Sequence, residues 1–253
     1  MPPEPDPKSR EAARLKQAWT QRARSEARDF FVASHPGWQD PARWAAQAET
    51  DASVLLSGLD PAWLADVEVL EIGCGVGRLV PPLLARVRGY TGIDVAAPMV
   101  AEARQRLAGE ARARFLESDG RGIPAAAADR RYGLALAQAV FIHCPRELVE
   151  ALSAEALALL RPEGLLRFQL LADPTDPEGL EQPEQAAAVH EEIRDMEAQA
   201  VAVPEGLIDE GYMGHPFRWA EARELFSALG DRLELRRFDL GHIYGSLGPR
   251  AAR

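Results

Sequence analysis

From position 67 to position 171, short apolar runs alternate with stretches of helical periodicity. The apolar runs predict strands, and the longer stretches with apolar residues every three or four positions predict helices. The predicted strands are Val67–Ile72, Gly89–Val95, Arg114–Glu117, Gly133–Gln138 and Leu165–Leu171, and the predicted helices are Arg78–Val87, Pro98–Leu107 and Pro145–Leu160. Near-continuous apolar strands joined by crossover helices predict a doubly wound, mainly parallel sheet with helices on both faces, an α/β fold.

The carboxyl-terminal part of the chain adds three elements to this sheet. One helix is predicted at Trp219–Leu229, and two further strands are predicted at Arg232–Leu240 and His242–Leu247. Only Gly241 separates the two strands, which leaves no room for a crossover helix. They are therefore expected to pair antiparallel and to complete a sheet of seven strands.

The residues before the first strand predict helices and no sheet. Four prolines in Met1–Pro7 exclude a regular helix there and predict a frayed tail. Apolar positions at helical spacing predict helices at Ser9–Val32 and Pro41–Ser57, and seven Lys and Arg residues lie between positions 8 and 28. We therefore interpret residues 1–66 as a tail followed by a helical cap.

The rest of the chain, residues 67–253, is expected to form one domain, since a chain of 253 residues suits a single large α/β unit. No internal repeat is visible, and the alanine-rich stretch Ala125–Ala128 is interpreted as a loop. Cys74 and Cys144 are the only cysteines, and neither has the spacing of a metal ligand. The sequence therefore predicts neither a disulfide framework nor a metal site.

The net charge of −10 is concentrated in one segment. Residues 172–216 contain twelve acidic residues and one basic residue, Arg194, whereas the rest of the chain holds 27 acidic and 28 basic residues. Such a chain lacks the basic stripe that favours nucleic-acid phosphates, so no nucleic-acid partner is expected. No apolar run reaches the ~18 residues that span a bilayer, and the first residues do not resemble a signal peptide. These features predict a cytoplasmic protein without a membrane partner.

The stretch VLEIGCGVGRLV, Val69–Val80, ends a predicted strand in a turn with three glycines. Gly73, Gly75 and Gly77 allow positive φ and let a ligand approach the main chain, because they have no Cβ. The helix that follows offers free N–H groups at its start. Asp94 ends the second strand, where a carboxylate can accept hydrogen bonds from both ribose hydroxyls of a nucleoside.

The spacing of this turn separates two classes of nucleotide-binding protein. A dinucleotide fingerprint, GxGxxG, would place its third glycine at position 78, where this chain has Arg78. Glu71, on the strand before the turn, would repel a pyrophosphate but suits an ammonium and a sulfonium group. The turn is therefore expected to bind a cationic amino-acid nucleoside, with Val95 and Met99 beside its adenine. Glu71 has a second interpretation, as a structural carboxylate that caps the N–H groups of the turn.

Three motifs together resemble the class I S-adenosylmethionine-dependent methyltransferases, among them the domains that act on small molecules. The motifs are VLEIGCGVGRLV, GIDVAAPMVAEAR and LLRPEGLLRF, in this order, within about Val67–Leu171. The resemblance implies a Rossmann-like methyltransferase fold and S-adenosyl-L-methionine as the cofactor. One departure, Pro162-Glu163-Gly164 in place of the family's usual PGG, affects a turn and not the cofactor site.

The resemblance also implies roles for individual residues. The predicted cofactor residues are Glu71, Gly73, Cys74, Gly75, Asp94, Val95, Met99, Asp119, Gly120 and Gln138. Glu71, Gly73 and Gly75 would line the methionine part of the cofactor, and Asp94 would hold its ribose hydroxyls. Asp119 matches the family's acid that accepts a hydrogen bond from the adenine amino group. Gln138 and Ala139 lie where the backbone of the family contacts the amino-acid end of the cofactor. Cys74 is interpreted as a small residue of a tight loop, because sulfonium chemistry needs no protein nucleophile.

Methyl transfer from a sulfonium is a direct displacement, to which an enzyme contributes proximity, orientation, electrostatics and, for a hydroxyl acceptor, a base. Two histidines are candidates for an acceptor contact or a base: His143, just past the fourth strand, and His215, in GYMGHPF. Each has a second interpretation as a structural residue. His35, His190 and His242 are interpreted as surface or packing residues.

Two segments outside the motifs are candidate lids. Residues 172–216 are an acidic insertion after the fifth strand, and their middle, Glu184–Val201, has helical periodicity. Its acidic face is either simply solvated or attracts a cationic acceptor through its field. The basic N-terminal helix, with Trp19, Phe30 and Phe31, is expected to close over the cofactor as a second lid.

The sequence favours transfer of a methyl group to an oxygen or nitrogen of a small-molecule acceptor, with a protein or peptide acceptor as the alternative. Two further classes stay open. A non-catalytic cofactor-binding protein would keep the glycine turn without an acceptor pocket. A NAD-dependent oxidoreductase would share the sheet and Asp94, but this chain lacks the third glycine of its fingerprint.

Overall fold

The computed structural model describes residues 7–33, 38–182, 207 and 214–250. Its strands are β1 (Glu68–Ile72), β2 (Gly89–Asp94), β3 (Ala113–Glu117), β4 (Tyr132–Ala137), β5 (Leu160–Leu171), β6 (Asp231–Arg236) and β7 (His242–Gly248). Its helices are α1 (Pro7–Arg24), α2 (Arg28–Val32), α3 (Pro41–Leu56), α4 (Pro61–Asp66), α5 (Val80–Leu84), α6 (Ala97–Arg106), α7 (Arg146–Leu159) and α8 (Trp219–Leu229). The predicted helix at Glu184–Val201 and residues 1–6 of the predicted tail lie outside the described residues, whereas Pro7, the last residue of that tail, begins α1.

The seven strands form one sheet in the order β3-β2-β1-β4-β5-β7-β6. The first five strands of this order run parallel, and β7 pairs antiparallel with both β5 and β6. The predicted doubly wound, mainly parallel fold is therefore confirmed. The chain moves outward from β1 to β3 and then returns to β4 on the other side of β1. This reversal makes the carboxyl ends of β1 and β4 the place where a ligand crevice opens.

Two layers of helices cover the two faces of the sheet, because neighbouring strand residues point to opposite sides. Val69 packs in one core with Leu83 of α5 and with residues of α3 and α6. Leu70 packs in the other core with Val149 of α7 and Phe226 of α8. Burial of each such side chain contributes ~1.5–3 kcal/mol to folding, so both layers hold the strand ends of the crevice in place.

Two of the N-terminal helices begin with an Asp-Pro pair. The Asp40 carboxylate accepts from Ala42 N at 2.9 Å, and the Asp60 carboxylate accepts from Ala62 N at 3.0 Å. The prolines that follow fit the first helical position, where no N–H is needed. This signal marks the start of α3 as predicted. It also starts α4, which the periodicity did not predict because six residues are too few to show a pattern.

The single helix predicted at Ser9–Val32 is wrong. The structure has two helices, α1 and α2, separated by a turn at residues 25–27. The Ser25 hydroxyl donates to the Arg22 carbonyl at 2.8 Å, and Arg28 N donates to the Ser25 carbonyl at 3.2 Å. These bonds take the place of helical ones, a competition that short hydroxyl side chains often win.

Other predicted boundaries also change. The helix α5 is shorter than the predicted Arg78–Val87, because Pro81 and Pro82 are tolerated only in its first turn and the residues before it belong to the glycine turn. Ala125–Asp129 forms a 3-10 helix where a loop was expected, and the Ala127 carbonyl accepts from the Tyr132 hydroxyl at 2.9 Å.

The strand predicted at Arg232–Leu240 ends at Arg236, because Arg237 turns its guanidinium into the protein interior. The guanidinium donates at 2.5–3.3 Å to the main-chain carbonyls of Asp173, Asp176, Glu178, Asp239 and Leu240. Arg237 therefore fastens the first residues of the predicted insertion to the turn between β6 and β7. Among the described residues, no helix is long and apolar enough to cross a bilayer.

Candidate functional site

A cavity of about 870 Å³, measured with its open mouth, lies at the carboxyl ends of β1, β2 and β4. The predicted residues that line it are Gly73, Gly75, Asp94, Val95, Met99, Gly120 and Gln138. The further lining residues are Leu15, Trp19, Phe31, Val32, Ile72, Ile93, Ser118, Ala139, Val140, Cys144, Leu148 and Leu152.

The glycine turn is tied to the neighbouring strand by main-chain bonds. Gly73 N and Cys74 N both donate to the Ile93 carbonyl, at 2.7 and 3.0 Å. Gly73 has φ 70°, and a Cβ at this position would collide with Val140. The turn therefore needs glycine for its backbone shape and for the space at the cavity wall.

Asp94 bridges the glycine turn and the start of α6. Its Oδ2 accepts from Gly75 N at 2.9 Å, and its Oδ1 accepts from Ala96 N at 2.8 Å. Burial raises the pKa of Asp94 to about 6, and the bonds from these N–H groups partly offset that rise. Each carboxylate oxygen has more than one lone pair, so Asp94 can still accept bonds from a ligand in the cavity.

Glu71 lies beneath the turn and does not line the cavity. Its side chain is only 4% exposed and accepts a hydrogen bond from the Tyr90 hydroxyl. Burial raises the pKa of Glu71 to about 7, while the Tyr90 hydroxyl and the charge of Arg78 act in the opposite direction. The N–H groups of Gly73 and Cys74 are bonded to Ile93 and that of Gly75 is bonded to Asp94, so Glu71 does not cap them.

Cys74 also faces away from the cavity. Its buried Sγ lies 3.7 Å from the Gly75 carbonyl, and its Cβ and Sγ fill the space that a side chain at Gly92 would need. Burial raises the pKa of the Cys74 thiol well above its usual value. The thiol is therefore a packed group between the turn and β2.

The turn after β3 places Ser118 and Gly120 on the cavity but turns Asp119 outward. The exposed Asp119 carboxylate accepts from Arg121 N at 2.9 Å and borders a separate shallow groove. The Ser118 hydroxyl accepts from Gly120 N at 3.0 Å and donates to the Gly122 carbonyl at 2.9 Å. Sequence reasoning missed Ser118, although it stands next to Asp119 in the same turn.

The wall after β4 is formed by Gln138, Ala139 and Val140. Ala139 has a positive φ of 54°, and its N–H donates to Oε1 of Gln169 at 3.1 Å. Gln169 belongs to β5 and is only 7% exposed. Sequence reasoning missed it, because no motif marks this position.

The N-terminal helices cover the cavity. Trp19 of α1 and Phe31 of α2 line it, as the sequence predicted, whereas Phe30 packs behind them with Ala27. Lys16 forms an ion pair with Glu117 at 2.6 Å and so joins α1 to the end of β3. The cap therefore contacts both the cavity and the sheet.

The two candidate histidines lie near the cavity without lining it. His143 is in the 3-10 turn after β4 and packs edge to face with Trp19, with ring centroids 5.1 Å apart. The main-chain N–H of His215 donates to the Ile142 carbonyl at 3.0 Å. Nε2 of His215 is buried and has no hydrogen-bond partner among the described residues. His242 contacts the Asp239 carboxylate at 3.2 Å, whereas His35 and His190 lie outside the described residues.

This geometry can be compared with known proteins. Residues 69–164 match the family described as a methyltransferase domain. Over these residues the chain is similar to methyltransferase domains. The match begins with β1 and ends inside β5, so it includes the glycine turn, Asp94 and the turn after β4. Among curated proteins, none matches the chain in sequence at a significant level.

Solved structures share the fold of this region and of the elements around it. The chain is 22% identical to DhpI in a "DhpI-SAM-HEP complex", with a TM-score of 0.58 and coverage of 97% of this chain and 100% of that chain. Magnesium protoporphyrin IX methyltransferase (ChlM) from Synechocystis PCC 6803 with bound SAM is 16% identical, with a TM-score of 0.53 and coverage of 98% and 100%. The CcbJ methyltransferase from Streptomyces caelestis is 17% identical, with a TM-score of 0.55 and coverage of 81% and 90%.

Proposed function

We propose that this protein transfers the methyl group of S-adenosyl-L-methionine to an oxygen or nitrogen of a small-molecule acceptor. The observation that carries the proposal is the meeting of the glycine turn and Asp94 around one cavity, within a region similar to methyltransferase domains. The similar DhpI and ChlM structures contain SAM, which supports the choice of cofactor. When bound, the sulfonium supplies the methyl group for direct displacement.

The lining residues divide the cavity into parts suited to the parts of this cofactor. Asp94 would accept bonds from the ribose hydroxyls, and Val95 and Met99 would pack beside the adenine. Gly73, Gly75 and Gln138 would line the methionine part, with Glu71 acting from below the turn through its charge. For Asp119 to accept from the adenine amino group, its carboxylate would have to leave Arg121 N and turn inward.

The described residues are suited to positioning and to excluding water. Trp19, Phe31 and Val32 cover the cavity with apolar surface, which shields the reacting groups. His143 and His215 are the proposed contacts for an acceptor, with a base role if the acceptor is a hydroxyl. The unpartnered, buried Nε2 of His215 supports this choice. An acceptor would have to extend past Trp19 to reach the His143 ring.

We further propose that the insertion at 172–216 attracts a cationic acceptor. Two of its described acids are already engaged: Asp176 accepts from Trp219 N at 2.8 Å, and Glu181 pairs with Arg236 at 2.8 Å. The attraction would therefore come mainly from the acids at positions 184–210. Neutralising four of these is expected to slow turnover of a positively charged acceptor at low salt. Unchanged turnover would remove the idea.

Several features remain predictions from the sequence. They are the division into a cap at 1–66 and a domain at 67–253, a cytoplasmic location, and the absence of a nucleic-acid partner. A peptide acceptor is the alternative to a small molecule. The similar ChlM enzyme is named for magnesium protoporphyrin IX, which supports an acceptor that is not a macromolecule.

Calorimetric titration with S-adenosylhomocysteine and with NAD tests the proposed cofactor. We expect binding of S-adenosylhomocysteine only. Binding of NAD alone would support the oxidoreductase alternative, and binding of neither would contradict the proposed function. A panel of hydroxyl, amine and peptide acceptors then separates an enzyme from a non-catalytic cofactor-binding protein, which would bind the cofactor and methylate none of them.

A further inference from the structure

Ala139, at the cavity wall after β4, has an unusual backbone conformation for a residue with a side chain. Its φ of 54° lies in the left-handed region, which favours glycine. Such conformations persist only where the surrounding structure holds them, and they concentrate at functional sites. The position lines the proposed cofactor cavity, so the group that holds it bears on binding.

The side chain of Gln169 holds this conformation from the next strand. Oε1 of Gln169 accepts from Ala139 N at 3.1 Å, and Nε2 of Gln169 lies 3.5 Å from the Tyr244 hydroxyl. Gln169 of β5 and Tyr244 of β7 are direct cross-strand partners, so the sheet register sets their contact. With its amide nitrogen toward Tyr244, the amide oxygen is turned to Ala139.

The bond to Ala139 also fixes the direction of the preceding carbonyl. No peptide bond among the described residues is cis, and in a trans peptide the N–H and C=O groups point in opposite directions. Because Ala139 N–H points to Gln169, the carbonyl of Gln138 points away from Gln169. Gln138 and Val140 line the cavity and Gln169 does not, so we expect this carbonyl to face the cavity.

We propose that Gln169, supported by Tyr244, is a positioning residue that aims the Gln138 carbonyl at the ammonium group of the cofactor's amino-acid end. The inference rests on the proposed function. A buried amide between Phe168 and Leu170 is unfavourable unless it is bonded, and the bond to Ala139 N joins it to the cavity wall. Packing alone would be served by an apolar residue at this place.

The test compares two ligands on the purified full chain. S-adenosylhomocysteine has the amino-acid end, whereas 5′-methylthioadenosine shares the nucleoside and the thioether but lacks that end. For Gln169→Leu we expect calorimetry to show about tenfold weaker binding of S-adenosylhomocysteine, because the Gln138 carbonyl is no longer oriented to accept from the ammonium group of the ligand. Binding of 5′-methylthioadenosine is expected to change less than about twofold, because Asp94 and the adenine contacts remain.

The ratio of the two affinities separates positioning from a general structural effect. Partial unfolding of a variant lowers both apparent affinities alike and leaves the ratio unchanged. Gln169→Glu keeps an acceptor oxygen beside Ala139 N and is expected to restore most of the ratio. Tyr244→Phe keeps the bond to Ala139 but frees the amide, so a smaller loss confined to S-adenosylhomocysteine is expected.

An equal loss for both ligands, or no loss for either, in Gln169→Leu would overturn the inference. If that variant does not fold, the same comparison in Tyr244→Phe decides in the same way. The failure of the proposed function looks different, because the unchanged protein would then bind neither ligand.

Discussion

The two halves of the crevice are held together in different ways. Beside β1, β2 and β3, polar side chains bond to main-chain groups of nearby turns, as Asp94 does with Gly75 and Ala96. Beyond β4, the contacts join segments far apart in the chain, as Gln169 does with Ala139. Residues that bond to nearby turns can be recognised from a short sequence motif. Residues that act through contacts between distant segments come together only when the sheet has formed.

Beyond β4, the substitution with the largest expected effect on stability is at Arg237. Arg237→Met would remove the guanidinium that donates to five main-chain carbonyls, which is expected to lower the free energy of unfolding by about 3 kcal/mol or more. Denaturant unfolding measures this change. Arg236→Met is the matched control, since Arg236 is exposed, with an ion pair to Glu181 and a contact with the Phe238 ring, and its effect should be small. Equal effects of the two substitutions would contradict the structural role of Arg237.

Asp94 gives the largest expected effect in the first half. Asp94→Ala removes a charged acceptor from the cavity and the bridge between the glycine turn and α6. We expect about 100-fold weaker binding of S-adenosylhomocysteine by calorimetry. Asp119→Ala is the matched control from the next strand end, with a change of about threefold or less, because its carboxylate is turned outward. A large loss in Asp119→Ala would instead support the adenine contact.

The raised pKa of Asp94 predicts a pH dependence of binding. The ionised carboxylate is the better acceptor, so affinity is full above about pH 7 and falls as the pH drops through about 6. At pH 5 it should be about tenfold lower. Stability has the opposite sign: the folded-state pKa lies above the unfolded value, so the contribution of Asp94 to folding becomes more favourable as pH falls from about 7 toward 4.

Two variants check the assignment of this dependence. Asp94→Asn should bind weakly at all pH values, with the slope near pH 6 removed. Glu71 titrates in the same range, since burial raises its pKa to about 7, but it lies outside the cavity. Glu71→Gln should therefore keep the slope below pH 6. A slope that survives in Asp94→Asn would assign the titration to another group.

The smallest expected effect concerns the cap. Trp19→Ala removes part of the apolar cover of the cavity and is expected to weaken binding of S-adenosylhomocysteine about fivefold. Phe30→Ala removes a similar ring that packs behind the cover and should alter stability more than affinity. If both variants bind as the unchanged protein does, the N-terminal helices are packing elements only.

The sequence predicts the sheet well because the strand signal is local. Short apolar runs and Gly241 between the last two strands indicate both the parallel part and the antiparallel pair. The errors fall where local bonds compete with periodicity, as at Ser25, or where a side chain acts over a long distance, as Arg237 does.

The candidate site follows the same division. Gly73, Gly75 and Asp94 are recognisable from spacing, and all three line the cavity. The direction of the Asp119 side chain depends on a turn bond to Arg121, which spacing does not reveal. Gln169 cannot be recognised in the sequence, because its partner Ala139 lies 30 residues earlier, in the turn after β4, and no motif marks position 169.

The strand order also affects the course of folding. Glu68 pairs with Gly89 and Tyr90 with Ala113, so the β1-β2-β3 part closes short loops. Leu166 pairs with Leu247, and the whole segment between β5 and β7 must be closed into one long loop before that contact forms. Closure of long loops is entropically costly and slow. The β3-β2-β1 edge is therefore expected to gain protection from hydrogen exchange early in refolding, and the β5-β7-β6 edge late.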